Sequence, residues 1–182
     1  MRERTFHTMA ERIGLIGVGI MGKPMARNLV KAGYELVIHN RSRGAVDELV
    51  AESDKFTAAN SPREVADQVE TVILMLPDSP DVNAVVFGDD GVLGGMEAGN
   101  LLIDMSTIAP ATSIEISKAL AEKGASALDA PVSGGDKGAI AGTLSIMVGG
   151  EAADFERAKP IFEAVGKTIV HVGAAGAGQT VK

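Results

Sequence analysis

Several residue types are absent or scarce in this chain of 182 residues, and each scarcity excludes a kind of site. Cysteine is absent, so the chain has no disulfide, no thiolate nucleophile and no cysteine-bound metal. The three histidines, His7, His39 and His171, lack the spacing of metal ligands, so no metal site is expected. Tryptophan is absent and aromatic residues make up only 3% of the chain, which disfavours a surface for stacking nucleic-acid bases.

Charge and hydropathy exclude two further classes of partner. The formal net charge is −7, so nucleic acid is not an expected partner, because no basic surface offsets its phosphates. Apolar runs such as 71–76 and 101–103 are far shorter than the roughly 20 residues that span a bilayer. Residues 1–12 lack the apolar segment of a secretion signal. These features predict a cytoplasmic protein without a membrane partner.

Short apolar runs alternate with amphipathic stretches along most of the chain. Strands are predicted at 13–16, 34–39, 56–58, 72–76, 101–105, 125–128, 144–148 and 169–172. Helices are predicted at 20–31, from Ser42 to about 51, after Ser61, at 109–122 and at 151–164. This alternation predicts an α/β fold of the doubly wound Rossmann type, with a mostly parallel sheet and helices on both faces. Ligands of such sheets bind at the carboxyl ends of the strands.

A glycine pattern of the form G-x-G-x-x-G follows the first predicted strand and opens the first helix. In this context the first glycine permits a tight turn, the second lets a pyrophosphate approach, and the third allows close packing of helix and strand. The predicted phosphate-binding segment consists of Gly17, Val18, Gly19, Ile20, Met21 and Gly22.

The end of the second predicted strand bears on the choice of dinucleotide. Binders of NAD usually carry an acidic residue here, whereas this chain has Asn40, Arg41 and Ser42. Without a carboxylate the 2′-phosphate is not repelled, and the Arg41 guanidinium can pair with it. The sequence therefore favours NADP(H), and NAD(H) is the alternative.

Two more strand ends are candidates for contacts with the nicotinamide half of the cofactor. Leu76 and Pro77 follow the fourth strand and are expected to border the nicotinamide ribose. Ser106 and Thr107 follow the fifth strand, with hydroxyls expected near the same ring. Either pair taken alone is also typical of an ordinary turn.

The segment 129–150 contains a second glycine-rich turn. Ser133, Gly134 and Gly135 can form a nest of donors for an anion, although a plain connection between strands has the same composition. Lys182 follows another glycine-rich stretch at 176–178, and a lysine at such a place is by itself typical of a solvated surface.

Together, the stretches 17–22, 129–150 and 176–182 resemble the β-hydroxyacid dehydrogenase family, in matching order from residue 13 onward. The resemblance implies hydride transfer between NADP(H) and a small carboxylate substrate, a β-hydroxyacid or a semialdehyde acid. It also implies that Ser133, Gly134 and Gly135 hold the substrate carboxylate, that Thr107 lies near the nicotinamide, and that Lys182 is catalytic. The stretches 19–25, 75–80 and 102–110 favour tartronate semialdehyde as the substrate. The alternatives are 3-hydroxyisobutyrate, succinic semialdehyde and glyoxylate.

The sequence departs from the family in two ways. Asp81 stands where the family commonly has asparagine, so it receives no role. Members of the family continue past the lysine into an all-helical domain that closes the cleft and forms a homodimer or tetramer. The predicted domains are therefore a flexible extension at 1–12, an NADP-binding domain at 13–173, and the start of an interdomain segment at 174–182. Lys182 is then expected to be poorly held and turnover slow, and a non-catalytic dinucleotide-binding module is the alternative from another class.

Overall fold

The structure is a computed structural model that describes residues 10–182. Most of the extension predicted at 1–12 lies outside the described residues, and Arg12 already belongs to the first strand. The strands are β1 Arg12–Ile16, β2 Glu35–His39, β3 Phe56–Ala58, β4 Thr71–Leu74, β5 Leu101–Asp104, β6 Ser126–Asp129, β7 Val132–Ser133, β8 Leu144–Gly149 and β9 Gly166–Gly173. The helices are α1 Gly22–Lys31, α2 Arg43–Glu52, α3 Pro62–Ala66, α4 Ser79–Phe87, α5 Val92–Gly95, α6 Pro110–Ala121, α7 Gly135–Ala141, α8 Ala152–Val165 and α9 Ala177–Val181.

The strands form one nine-stranded sheet in the order β3-β2-β1-β4-β5-β6-β8-β7, with β9 paired to β8. The first six strands are parallel to one another. β8 then runs antiparallel to both β6 and β7, and β9 is parallel to β8. The prediction of a doubly wound, mostly parallel sheet is confirmed, and the carboxyl ends of β1, β2, β4, β5 and β6 share one edge.

Helices cover both faces of the sheet, because alternate side chains of each buried strand enter opposite cores. On one face, α1, α2, α7 and α8 pack on residues such as Ile13 and Leu15 of β1. On the other face, α3, α4, α5 and α6 pack on residues such as Ile16 of β1 and Val72 of β4. The central strands β4 and β5 are thus buried on both sides, which leaves their ends as the places where they can meet a ligand.

Helix starts follow local hydrogen bonds where the sequence provides them. Ser61 caps α3 as predicted: its hydroxyl accepts from the N–H of Glu64 at 3.1 Å, and Pro62 occupies the first helical position. The Glu64 carboxylate accepts from the N–H of Asn60, one residue before the cap, at 2.7 Å and so also holds the start of the helix. Ser42 is also at an N-cap position, but its side chain makes no capping hydrogen bond.

Two buried carboxylates end neighbouring strands. Asp104 ends β5 and pairs in register with Asp129 at the end of β6. One oxygen of Asp104 accepts from the N–H of Ser106 at 3.0 Å, and the other has no hydrogen-bond partner among the described residues. Burial raises the pKa of Asp104 to about 6, against the hydrogen bonds from Ser106, and the charge of Asp129 raises it further.

This shift predicts how stability depends on pH. Since the folded pKa of Asp104 lies above its ordinary value of 3.8, the folded state holds the proton more tightly. The free energy of unfolding should therefore fall as pH rises from about 4 to about 6, by about 3 kcal/mol at most from this group. Asp104→Asn should flatten that part of the curve in denaturant titrations at a series of pH values.

The matched control is Asp54→Asn, because Asp54 is exposed in the turn between α2 and β3 and should leave the curve unchanged. Burial also raises the pKa of Asp129. Because Asp129 remains in both variants, it accounts for a residual slope of stability against pH. A curve for Asp104→Asn that superimposes on that of the unaltered protein would contradict the assignment.

Candidate functional site

The glycine segment after β1 forms an open cradle at the end of the sheet. Gly17 has φ +96°, and a Cβ there would overlap the carbonyl oxygen of Met75 just after β4. A Cβ on Gly22 would overlap the carbonyl oxygen of Gly17, so the helix starts directly against the turn. A Cβ on Gly19 would meet nothing within 4 Å. Two of the three glycines thus allow packing, and the third leaves space beside the first turn of α1, where main-chain N–H groups favour an anion.

The cradle opens into a cleft of about 780 Å³ between the loops that follow β1, β2 and β4. Most of the predicted cofactor residues line it, namely Gly17, Gly19, Ile20, Met21, Gly22, Asn40, Arg41, Ser42, Leu76 and Pro77. Val18 does not, because its side chain is fully buried in the core. Thr107 is exposed on the loop after β5 and also lies outside the lining of this cleft.

Asn40 braces the cradle from the end of β2. Its Oδ1 accepts from the N–H of Val18 at 3.2 Å, and its Nδ2 donates to the carbonyl oxygen of Ser42 at 3.0 Å. The amide predicted to face the cofactor is therefore engaged with the main chain at both of its polar atoms. What Asn40 contributes to the cleft is the position of the loops on either side.

Arg41 extends across the mouth of the cleft. Its side chain is 90% exposed, and its Nη1 lies 3.4 Å from the Oδ1 of Asp81 in the first turn of α4. The N–H of Asp81 donates to the Asp78 carboxylate at 3.0 Å, so the helix cap fixes this acidic residue. Asp81 received no role from the sequence, and the structure makes it the partner of the guanidinium expected to recognise the cofactor.

The expectation for the Ser106 hydroxyl is wrong. Ser106 is fully buried, and its Oγ accepts from the N–H of Leu76 at 2.9 Å. The hydroxyl therefore joins the loops that follow β4 and β5 from the inside. Thr107, the next residue, is exposed.

The predicted anion nest lies on an exposed turn. Ser133 ends β7, the outer strand of the antiparallel part, and α7 begins two residues later. Gly134 and Gly135 have φ +133° and +61°, values that residues with a side chain rarely adopt. A Cβ on Gly135 would meet nothing within 4 Å, so this turn has the exposure and free space that a small anion needs.

Lys182 follows α9, and Asp129 holds this helix in place. The two carboxylate oxygens of Asp129 accept from the N–H of Gly176 at 2.7 Å and from the N–H of Gln179 at 2.9 Å. Burial raises the pKa of Asp129, while those N–H groups favour its charged form. The N–H of Lys182 donates to the carbonyl oxygen of Gly178 at 3.2 Å. The helix before Lys182 is thus fastened to the sheet, which the sequence did not indicate.

Gln179 is a further site residue that the sequence did not reveal. It is buried, and its side chain bonds to the main chain of the loop that follows β5. A polar residue next to a glycine-rich stretch predicts a surface turn, so no local pattern pointed to this contact.

The described residues form no cluster of histidine and acidic side chains that could hold a metal ion. Over the same residues, no helix combines the length and the apolar character needed to span a bilayer.

Comparison with known proteins agrees with this geometry. The sequence model of the family 'NAD binding domain of 6-phosphogluconate dehydrogenase' matches residues 12–173. The chain is 48% identical to the NAD-dependent L-serine dehydrogenase of Pseudomonas aeruginosa and 45% identical to the 2-hydroxy-3-oxopropionate reductase of Escherichia coli. In each case 94% of this chain is covered, together with 57% and 58% of the respective relative. The chain thus spans a little more than half the length of these curated relatives.

A solved structure has the same fold over most of this chain. It is the 3-hydroxyisobutyrate dehydrogenase of Mycobacterium tuberculosis with L-serine, which matches with a TM-score of 0.87 and 37% identity. The match covers 95% of this chain and 58% of that one. The chain therefore belongs to the family of the NAD-binding domain of 6-phosphogluconate dehydrogenase, among its β-hydroxyacid dehydrogenase relatives.

Proposed function

We propose that this chain is the NADP(H)-binding part of an oxidoreductase that transfers a hydride between NADP(H) and a small β-hydroxyacid or semialdehyde acid. One observation carries the proposal. The glycine cradle after β1 and the lysine-bearing helix fastened to β6 lie at the carboxyl ends of the same set of parallel strands. A dinucleotide site and a proton donor at one sheet edge are the parts that such a reaction needs.

The residues of the cleft fit a dinucleotide. Gly19 leaves open space beside the start of α1 for the pyrophosphate, and Leu76 and Pro77 border the end that faces β5. Arg41, with the hydroxyl of Ser42 beside it, would hold a 2′-phosphate at the other end. When bound, the dinucleotide would supply or accept the hydride, and the protein would fix its position.

The preference for NADP(H) is tested by Arg41→Ala. Loss of a charged hydrogen bond to the 2′-phosphate should weaken NADPH binding by about 1.5–3 kcal/mol and leave NADH binding nearly unchanged. Titration of both cofactors by fluorescence measures the difference. Arg157→Ala is the matched control, because Arg157 donates to the carbonyl oxygen of Gly99 near the amino end of β5. Equal or tighter binding of NADH by the unaltered chain would overturn the preference.

On the substrate side, we assign the carboxylate to the turn of Ser133, Gly134 and Gly135. Its exposed hydroxyl and its glycine backbone are suited to two carboxylate oxygens. Thr107 would border the nicotinamide. The Lys182 ammonium would hydrogen-bond the substrate carbonyl oxygen, stabilise the charge that develops there during reduction, and then donate a proton to it.

We favour tartronate semialdehyde, reduced to glycerate, as the substrate. The similar proteins are named for several small acids, with 48% identity for an L-serine dehydrogenase, 46% for a 3-hydroxyisobutyrate dehydrogenase and 45% for a 2-hydroxy-3-oxopropionate reductase. Because these identities do not rank the substrates, the choice rests on the stretches 19–25, 75–80 and 102–110. The alternatives 3-hydroxyisobutyrate, succinic semialdehyde and glyoxylate share a carboxylate and a carbon at the alcohol or aldehyde level, and they differ in the other groups. Kinetics on that panel, with the complete native gene product, separates them.

The substrate assignment is tested by Ser133→Ala. Because a hydrogen bond to a charged carboxylate contributes about 1.5–3 kcal/mol, KM for the semialdehyde should rise roughly tenfold or more. The affinity for NADPH should be unchanged. Ser126→Ala is the control, since Ser126 begins β6 at the opposite edge of the sheet. The assignment fails if KM is the same in Ser133→Ala and in the unaltered enzyme.

The lysine assignment is tested by Lys182→Ala in the complete native gene product. Removal of the proton donor should lower kcat on the order of 100-fold or more, with NADPH affinity largely kept. Lys167→Ala is the control, because Lys167 is an exposed lysine in β9.

Two outcomes would contradict this proposal. Full turnover by Lys182→Ala would show that another group donates the proton. Tight NADPH binding by the complete gene product, with no turnover of any semialdehyde in the panel, would favour a non-catalytic dinucleotide-binding protein. The family resemblance implies a homodimer or tetramer that forms through a helical domain after the lysine. Measurement of the mass of the native gene product in solution tests that expectation.

A further inference from the structure

The side chain of Gln179 joins the helix that precedes Lys182 to the loop that follows β5. Gln179 lies in α9 and is 8% exposed. Its Nε2 donates to the carbonyl oxygen of Ser106 at 2.7 Å, and its Oε1 accepts from the N–H of Ile108 at 3.1 Å. One carboxamide therefore holds the main chain on both sides of Thr107.

The backbone of the same helix is held by a different group. The N–H groups of Gly176 and Gln179 donate to the two carboxylate oxygens of Asp129. A Cβ on Gly178 would lie 2.5 Å from the carbonyl oxygens of Asp129 and Met147. The helix thus packs directly against the backbone of β6 and β8.

The loop 106–108 is fastened on its other side to the cofactor half of the molecule. The Ser106 hydroxyl accepts from the N–H of Leu76, and the N–H of Ala109 donates to the Oγ of Ser79 at 3.0 Å. Leu76 lines the cofactor cleft, and Ser79 begins α4. The Gln179 carboxamide therefore links a loop anchored on the cofactor side to a helix anchored on β6.

We propose that Gln179 is a positioning residue that sets the separation between the Thr107 loop and Lys182. The inference rests on the proposed role of Lys182 as proton donor. An apolar side chain of similar size could fill the same volume, but only directed hydrogen bonds fix the orientation of the loop. Because a misplacement of about 1 Å can lower a rate about 100-fold, such a link matters for turnover more than for binding.

Two variants separate the parts of the link, and a third is the control. Gln179→Leu removes both hydrogen bonds to the loop. Gln179→Glu keeps an acceptor for the N–H of Ile108 and removes the donor to Ser106 when the carboxyl is ionised. Thr180→Ala, at the next residue, removes a 2.7 Å hydrogen bond from Thr180 to the carbonyl oxygen of Gly176 within the helix and leaves the loop contact intact.

The first measurement is amide hydrogen exchange in the 182-residue chain, which does not depend on activity. The Ile108 amide should exchange at least about tenfold faster in Gln179→Leu, because its acceptor is lost and local opening becomes easier. It should exchange near the original rate in Gln179→Glu and in Thr180→Ala. An unchanged rate for Ile108 in Gln179→Leu would overturn the link itself.

The second measurement is steady-state kinetics with the complete native gene product. In Gln179→Leu, kcat should fall about 10- to 100-fold, while KM for the semialdehyde and Kd for NADPH stay within about threefold. Gln179→Glu should fall in the same direction, and Thr180→Ala should keep its kcat. A kcat within twofold of the original in Gln179→Leu overturns the proposal. If that variant does not fold, Gln179→Glu is judged by the same criterion.

The two hypotheses fail in different ways. If Lys182→Ala keeps the original kcat, the role of the lysine is wrong and the proposed function must be revised. If Lys182→Ala loses activity while Gln179→Leu keeps it, the lysine assignment stands and only the positioning role of Gln179 is wrong.

Discussion

The substrate side of this molecule depends on the hydrogen bonds that the buried carboxylate of Asp129 accepts from α9 and the residue before it. A helix as short as α9, Ala177–Val181, has too few internal hydrogen bonds to persist by its own propensity. The Asp129 carboxylate accepts hydrogen bonds from N–H groups at the start of α9. In other helices a side chain at the N-cap position accepts such bonds. The cost of burying the carboxylate is offset by those same donors. The location of Lys182 is therefore set by the end of β6, a strand far away in the sequence.

The close approach of main-chain segments is the second constraint on this structure. Five glycines near the proposed site fall into two groups with respect to it. At Gly17, Gly22 and Gly178 a Cβ would run into a carbonyl oxygen, so these residues let one segment rest directly on another. At Gly19 and Gly135 a Cβ would meet nothing, so these residues leave a main chain exposed to solvent. The packing glycines determine where the loops lie, and the open glycines are the places where a ligand can approach the backbone.

The fold was largely predictable because its signals are local. The buried strand β5 contains the continuous apolar run 101–103, and the glycine pattern after β1 lies between a strand and a helix. The contacts of Gln179 and Ser106 were not predictable, because each depends on a hydrogen bond to a distant loop. The Ser106 hydroxyl was wrongly expected to face the cofactor, since a serine at a strand end is typical of an exposed turn. Tertiary packing placed it inside instead. The reversed direction of β8 also has no local signal, because an apolar run does not reveal which neighbour it pairs with.

The charge of the cofactor cleft matters for binding, because the chain has a net charge of −7 and the proposed ligand is an anion. Asp81, Asp89 and Asp90 all line the cleft on the side of α4, opposite Arg41. The pairing of Arg41 with Asp81 is exposed, and such surface pairs contribute only about 0–1 kcal/mol. A phosphate monoester carries more charge than a carboxylate, and both groups can accept two guanidinium hydrogen bonds at once. If the chain binds NADP(H) as proposed, the 2′-phosphate has to displace the Asp81 carboxylate from Arg41, which costs little because the pair is exposed. The same carboxylates repel a phosphate, so the proposed preference for NADP(H) requires the pairing of the phosphate with Arg41 to outweigh that repulsion.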